Sequence, residues 1–250
     1  MRHNCRFMRL ADHFVRSGDT LFRYRGQLPL LMLPVFALGM LDARLPADLP
    51  PAGRAVQAAA VLLALCGLVI RVLSIGTAPE GTSERSTTSP RASRLRTTGF
   101  YSIVRHPLYL GNTITAVGLG AFTTRWYVPV IVLLLGLLYH ERIAAREEAF
   151  LEDRFGDEFR RWAEAVPAMV PRLSAYVPSD TPFVWKRVLG REFHGLMAIA
   201  SVVFVLDISR RGLAGATLTP DPLWGWFFAL SAAIFVVFTA LKKTTGMFRT

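Results

Sequence analysis

Between residues 98 and 171 the chain gathers side chains that can bind or move charge. The first group is TGFYSIVRHPLYLGN (98–112), which sets Arg105, His106, Tyr109, Leu110, Gly111 and Asn112 within eight residues. Pro107 suits the first turn of a helix, where a missing N–H costs nothing. Arg105 and His106 then stand just ahead of a helix start, where free N–H groups and the dipole attract an anion such as a carboxylate. The second group is YHERIAAREEAFLEDRFGDEFRRWAEAVPAMVP (139–171), with eight acidic residues from Glu141 to Glu164 and Glu147 next to Glu148. Glu141 and Glu148 are seven apart and share a helical face, with Glu152 one turn further on. Such a face can hold an ammonium group or ribose hydroxyls. Tyr101, Tyr109 and Tyr139 offer rings that can stack on an aromatic ligand, and His140 sits beside Glu141. The alternative for Glu147 and Glu148 is a solvated helix face paired with Arg142, Arg146 and Arg154.

The elements that must position these groups are apolar. Runs at 28–41, 55–75, 108–122, 126–140, 193–208 and 223–241 approach the roughly 20 residues that cross about 30 Å of hydrocarbon. The shorter ones rely on tilt or flanking residues. Six crossings are expected. The runs at 108–122 and 126–140 form a helical hairpin with its turn at 123–126. That hairpin brings 105–112 and 141–148 to one depth on adjacent helices, where polar groups need partners or a ligand. Gly111, Gly118 and Gly120 give small faces that admit another helix or a flat ligand.

Charge sets the orientation. The chain has 250 residues, 52% hydrophobic and only 19% charged, yet a formal charge of +11 and a sequence pI near 10.6. A soluble domain carries about 25% charged residues. Basic nucleic-acid binders of this size lack apolar runs this long, so no nucleic-acid partner is expected. Of the 29 Lys and Arg residues, 24 fall in the segments 1–27, 71–105, 142–191 and 242–250, and 5 in the alternate loops. The positive-inside rule then puts both termini and the two long loops in the cytoplasm. Residues 1–27 read as an Arg-rich amphipathic segment in the headgroup layer, anchored by Phe7, Leu10, Phe14 and Leu21. No cleavable signal peptide is expected. Cys5 and Cys66 make no disulfide framework, and no His, Cys and acidic set has metal-ligand spacing. Asp207 is expected to pair with Arg210 or Arg211.

RHPLYLG, a hairpin, and then EEAFLEDRFGDEFRRWAEAVPAMVP together resemble the isoprenylcysteine carboxyl methyltransferase family and its phospholipid methyltransferase relatives. The tail elements are Phe155, Gly156, Glu158, Phe159, Trp162, Val166, Pro167 and Pro171, with Phe159 and Trp162 where the family usually has tyrosines. The resemblance covers roughly residues 55–173. It implies an all-α polytopic membrane enzyme that moves a methyl group from S-adenosylmethionine to a lipid. The implied cofactor residues are His106, Tyr109, Leu110, Gly111, Tyr139, His140, Glu147 and Glu148. Arg105, His106 and Glu148 are implied as catalytic, and Arg105, Tyr101 and Asn112 as facing the acceptor. The approach segment, through Gly81-Thr82-Ser83, Arg85, Thr97-Thr98-Gly99 and Tyr101-Ser102, is similar to bacterial members linked to lipid A phosphate methylation. That points to an anionic oxygen acceptor in a bacterial inner membrane, with a lipid amine or an isoprenylcysteine carboxylate as alternatives. The expected parts are an N-terminal segment with the first helix (1–54), a methyltransferase core (55–173), and a loop with two helices (174–250). A transporter or scaffold is the rival class. A transporter should show repeats or broken helices in matching halves, and neither is visible.

Overall fold

The computed structural model describes residues 10–24, 30, 32–41, 46–78, 92–216 and 218–245. The readings placed on Arg2, Cys5, Phe7, Arg44, Gly81-Thr82-Ser83, Arg85 and Arg249 lie outside these. Among the described residues the architecture is all-helical, with an isolated antiparallel bridge between Gly99 and Val177. The α-helices in order are α1 (Leu10–Tyr24), α2 (Leu33–Leu41), α3 (Pro51–Gly76), α4 (Pro107–Phe122), α5 (Tyr127–Phe155), α6 (Asp157–Ala165), α7 (Trp185–Leu189), α8 (Phe193–Leu213) and α9 (Pro222–Thr244).

Local chemistry sets these boundaries. Three of the long helices open on a proline at their first position: Pro51, Pro107 and Pro222. That residue brings a helical φ and has no N–H to satisfy. At α9 the Asp221 carboxylate also accepts from the Leu223 N–H at 3.0 Å, which caps the first turn. α5 runs 29 residues and ends at Gly156, whose φ of +53° suits glycine alone. The chain reverses there into α6.

Among the described residues, four stretches are long and apolar enough to cross a membrane: Pro51–Gly76, Tyr127–Phe155, Trp185–Leu213 and Pro222–Thr244. The other two expected crossings correspond to shorter helices. α4 has 16 residues and α2 has 9, or about 24 Å and 14 Å at 1.5 Å per residue.

The tightest packing joins α3 to α4. A Cβ on Gly118 would lie 2.5 Å from the Ala64 nitrogen and 2.7 Å from the Ala60 carbonyl oxygen, and one on Gly111 would lie 2.7 Å from the Gly67 carbonyl oxygen. Backbone cannot yield at such distances, so small residues are required where the two helices touch. Thr115 adds a hydrogen bond across the contact, to the Ala64 carbonyl at 3.1 Å. The core around this contact includes Phe36, Ala64, Phe122, Val132, Val203 and Trp224. Trp224 meets Phe122 edge to face at 5.2 Å and donates its indole N–H to the buried Gln57 at 3.2 Å.

Polar clusters tie both ends of the bundle. At one end Asp207 and Arg210, both buried, pair at 2.8 Å, as the sequence suggested. Arg210 also donates to the Pro46 and Ala47 carbonyls, and Asp207 accepts the Asp221 N–H at 2.7 Å. At the opposite end Arg71 of α3 grips Glu192 with two hydrogen bonds, at 2.9 and 2.8 Å, and Asn112 of α4 with a third at 2.6 Å. α1 is amphipathic as expected, but it packs against α5. Phe14 lies under the Arg142 guanidinium at 5.2 Å, Asp19 pairs with Arg146, and Phe22 is buried. Phe14 therefore anchors to a neighbouring helix, because α5 offers both an apolar groove and the cations that α1's acidic side needs.

Candidate active site

The α4–α5 hairpin turns at 123–126 and places the start of α4 beside the second half of α5. His106 stands at the N-cap position of α4, its side chain free to reach α5, and Arg105 precedes it. Glu148, reaching from α5, accepts from Arg105 Nη1 at 3.0 Å and from His106 Nε2 at 2.8 Å. The second ring nitrogen of His106 lies 3.7 Å from the Glu147 carboxylate. Glu147 in turn accepts the Tyr109 hydroxyl at 2.6 Å. Arg105, Glu148, His106, Glu147 and Tyr109 thus form one continuous network, with charge-assisted bonds of the stronger kind. The two glutamates are partners of the α4 start rather than of Arg142, Arg146 or Arg154. Arg146 pairs with Asp19, and Arg142 donates to the Leu138 carbonyl at 2.6 Å.

A column of rings extends the network along α4. His106 stacks on Tyr109 with centroids 5.5 Å apart, Tyr109 stacks on His140 at 5.0 Å, and Tyr139 tilts against His140 at 4.9 Å. Thr113 fixes the buried His140 ring. Its single hydroxyl proton goes to the Tyr109 carbonyl at 2.9 Å. The 2.9 Å contact with His140 Nδ1 is therefore donated by the ring, which leaves Nε2 as an acceptor.

The tail that follows α5 straps the loop ahead of α4. The Arg105 N–H donates to the Pro167 carbonyl at 2.9 Å, Arg172 N–H to Ile103 at 3.0 Å and Gly99 N–H to Val177 at 2.9 Å. Trp162 donates its indole N–H to the Tyr101 carbonyl at 3.1 Å. These bonds narrow the expected anion site at the helix start. The Arg105 N–H is taken by Pro167, and those of Tyr109 and Leu110 go to the His106 carbonyl. An anion there would meet the Arg105 side chain, whose buried Nε has no hydrogen-bond partner among the described residues.

A cavity of about 410 Å³ opens beside Glu148, lined by Phe14, Leu137, Glu141, Ala144, Glu148 and Met169 among others. Its size falls in the range of small-molecule sites, about 300–1,000 Å³. Glu141 and Glu148 share this wall, as their spacing predicted. Glu152 points elsewhere and pairs with Arg160 at 2.8 Å.

Not every expected residue joins the site. Asn112 is exposed and held by Arg71. Gly111 faces the α3 backbone, so its small size serves helix packing. Leu110 is half-buried and brings no polar group. Tyr101 lies in a separate polar cleft with Arg94, Thr98 and Asp180, where the Arg96 guanidinium sits 5.4 Å from its ring. The sequence marked neither Thr113 nor Met169, it named Phe14 only as a lipid anchor, and it did not foresee the Arg71–Glu192 pair. An arginine inside the run 55–75 was the available signal for that pair, since a cation at such depth needs a partner. Among the described residues, no three His, Cys, Asp or Glu side chains are grouped to hold a metal ion.

Comparison with known proteins agrees with the motif reading. The family model for phospholipid methyltransferase matches residues 56–158. The chain is 40% identical over 87 residues to the cobalt-zinc-cadmium resistance protein CzcN of Cupriavidus metallidurans, covering 35% of this chain and 40% of that protein. It is 37% identical over 94 residues to the nickel-cobalt-cadmium resistance protein NccN of Alcaligenes xylosoxydans xylosoxydans, covering 38% and 44%. It is also 37% identical over 81 residues to protein-S-isoprenylcysteine O-methyltransferase of Schizosaccharomyces pombe, covering 31% and 33%. The matched region spans less than half the length of each of these relatives. No solved structure gives a significant match. Residues 56–158, the segment similar to phospholipid methyltransferases, hold the whole Arg105–Glu148–His106–Glu147–Tyr109 network.

Proposed function

We propose that the protein is an integral membrane methyltransferase that moves a methyl group from S-adenosylmethionine to a lipid headgroup. The observation that carries this reading is Glu148, which gathers Arg105 and His106 and lines the adjoining cavity. The donor set suits that cofactor. Carboxylates match an ammonium or ribose hydroxyls, the orphaned Arg105 Nε matches a carboxylate, and the Tyr109–His140 column offers ring faces. S-adenosylmethionine, when bound, supplies an activated methyl on a sulfonium.

This chain's residues orient and desolvate. Arg105 and Glu147 hold the cofactor's charged ends, and Glu148 keeps His106 and Arg105 in place. Bringing two reactants together in a water-poor cleft supplies much of the rate for a displacement of this kind. The cavity lining favours a lipid amine as acceptor, because Glu141 and Glu148 are its ionisable groups. An amine must shed a proton before it attacks, and Glu148 or His106 can take it. A phosphate or carboxylate oxygen is the second reading. It is favoured by Arg105 and needs no base.

The same reading assigns residues 55–173 to the core, 1–54 and 174–250 to flanking parts, and the network to the cytoplasmic face of a bacterial inner membrane. The test is binding plus lipid analysis. Purified protein should bind S-adenosylmethionine in calorimetry, and cells expressing it should contain one lipid class heavier by a methylene group. Failure of both S-adenosylmethionine and its homocysteine product to bind would overturn the reading. An added methyl on an amine or on an oxygen decides between the acceptors.

A further inference from the structure

The outer wall of the cavity beside Glu148 comes from outside the family segment. Phe14 belongs to α1, well before residue 56. Three contacts set its distance from α5. Asp19 pairs with Arg146. The Arg142 guanidinium lies over the Phe14 ring at 5.2 Å while donating to the Leu138 carbonyl. Gly18 meets the Arg142 backbone so closely that a Cβ would overlap its carbonyl. The Phe14 ring is therefore a placed wall.

The cavity is also graded in polarity. Its lining runs along α5 from Leu137 to Glu148, about 16 Å of helix at 1.5 Å per residue. At the Leu137 end, residues 126–140 hold no Asp, Glu, Lys or Arg. At the Glu148 end lies the charged network. A wholly water-soluble ligand would leave Phe14, Leu137 and Met169 facing polar groups, whereas an amphiphile matches both ends.

We propose that this cavity is the chain channel of the acceptor lipid. It takes one hydrocarbon chain between α1 and α5, with Phe14 as the residue that decides which chains fit. The assignment rests on the methyl-transfer reading only in placing the headgroup at Glu148.

The experiment uses the full chain in vesicles of phosphatidylethanolamine and phosphatidylglycerol, with a trace of phosphatidylethanolamine bearing a diazirine in mid-chain. Irradiation and peptide mapping should find label on the peptide containing Phe14 and on residues 137–145. Label there should fall several-fold in Ala145→Trp, which fills the channel, while label on the exposed α9 residues Val236 and Val237 stays constant. Phe14→Ala, a half-buried position more tolerant of change, should shift the lipid chain preference of methyl transfer toward bulkier chains. Label confined to lipid-facing surfaces, or loss of the Phe14 label when S-adenosylmethionine is added, would overturn the channel. Methyl transfer by the unaltered protein with the same chain preference in Phe14→Ala overturns the channel and leaves the enzymatic reading standing. Label at Phe14 without any methyl transfer supports the channel and overturns that reading.

Discussion

Glu148 accepts from two cationic or potentially cationic groups at 3.0 and 2.8 Å, and Tyr109 binds the neighbouring Glu147 while stacking on both His106 and His140. These two roles of Tyr109 separate by substitution. Tyr109→Phe removes one hydrogen bond to a charged group, worth about 1.5–3 kcal/mol, and should weaken S-adenosylmethionine binding about tenfold. Tyr109→Leu also removes the ring stack, worth a further ~0.5–1.5 kcal/mol, and should bind more weakly still. Titration calorimetry on both variants checks the order, and equal affinities would deny the stack any part in binding. Much of this cluster was legible in the sequence. Pro107 marked the helix start, and the distance from Arg105 to Glu148 fitted a hairpin. Thr113 was not legible, because a threonine in an apolar run has no signature until a ring is seen beside it. Asn112 and Tyr101 lie apart from the network for a similar reason. Neighbours in sequence to a site residue point to other faces of the same helix or loop, and only the structure shows which face.

At the scale of elements, the α3–α4 contact and the strap over the α4 start hold the site in shape. Gly118→Val would push a branched side chain into the backbone of Ala60 and Ala64. It should sharply lower the yield of folded, detergent-stable protein. Gly136→Ala places its Cβ 3.7 Å from Thr113, an ordinary contact, and should be tolerated in the same size-exclusion measurement. Away from the bundle, the Thr98 hydroxyl, aided by the Arg94 guanidinium, holds the Asp180 carboxyl below the usual carboxylate range. A depressed carboxylate adds stability above its unfolded pKa, about 3.9, and loses it as pH falls through the folded value. Thermal melts of Asp180→Asn should therefore differ slightly from the unaltered protein at neutral pH and converge with it in strong acid. A gap that persists at low pH would rule out charge as its cause. The helices and the hairpin turn were readable from apolar runs and prolines. The docking of α1 on α5 was not, since an amphipathic, basic helix matches a lipid surface and an acidic-cationic helix partner equally well on periodicity alone.

At the scale of the molecule, charge and geometry point the same way. The network lies at the end where α3 and α5 finish and α4 and α8 begin, and the segments flanking that end carry most of the 29 basic residues. Reporter fusions should place a tag after residue 245 in the cytoplasm and one inserted near residue 217 outside it, and the reverse result would invert the proposed topology. Methyl transfer through the Glu148 network can be followed as transfer itself. Purified protein in vesicles, given S-adenosylmethionine with a labelled methyl group, should place label in extractable lipid. Glu148→Gln should reduce the rate at least about tenfold, equivalent to ~1.4 kcal/mol of transition-state stabilisation, while remaining folded. A folded unaltered protein that labels no lipid, or a Glu148→Gln variant that labels it at the full rate, would show that methyl transfer does not run through Glu148.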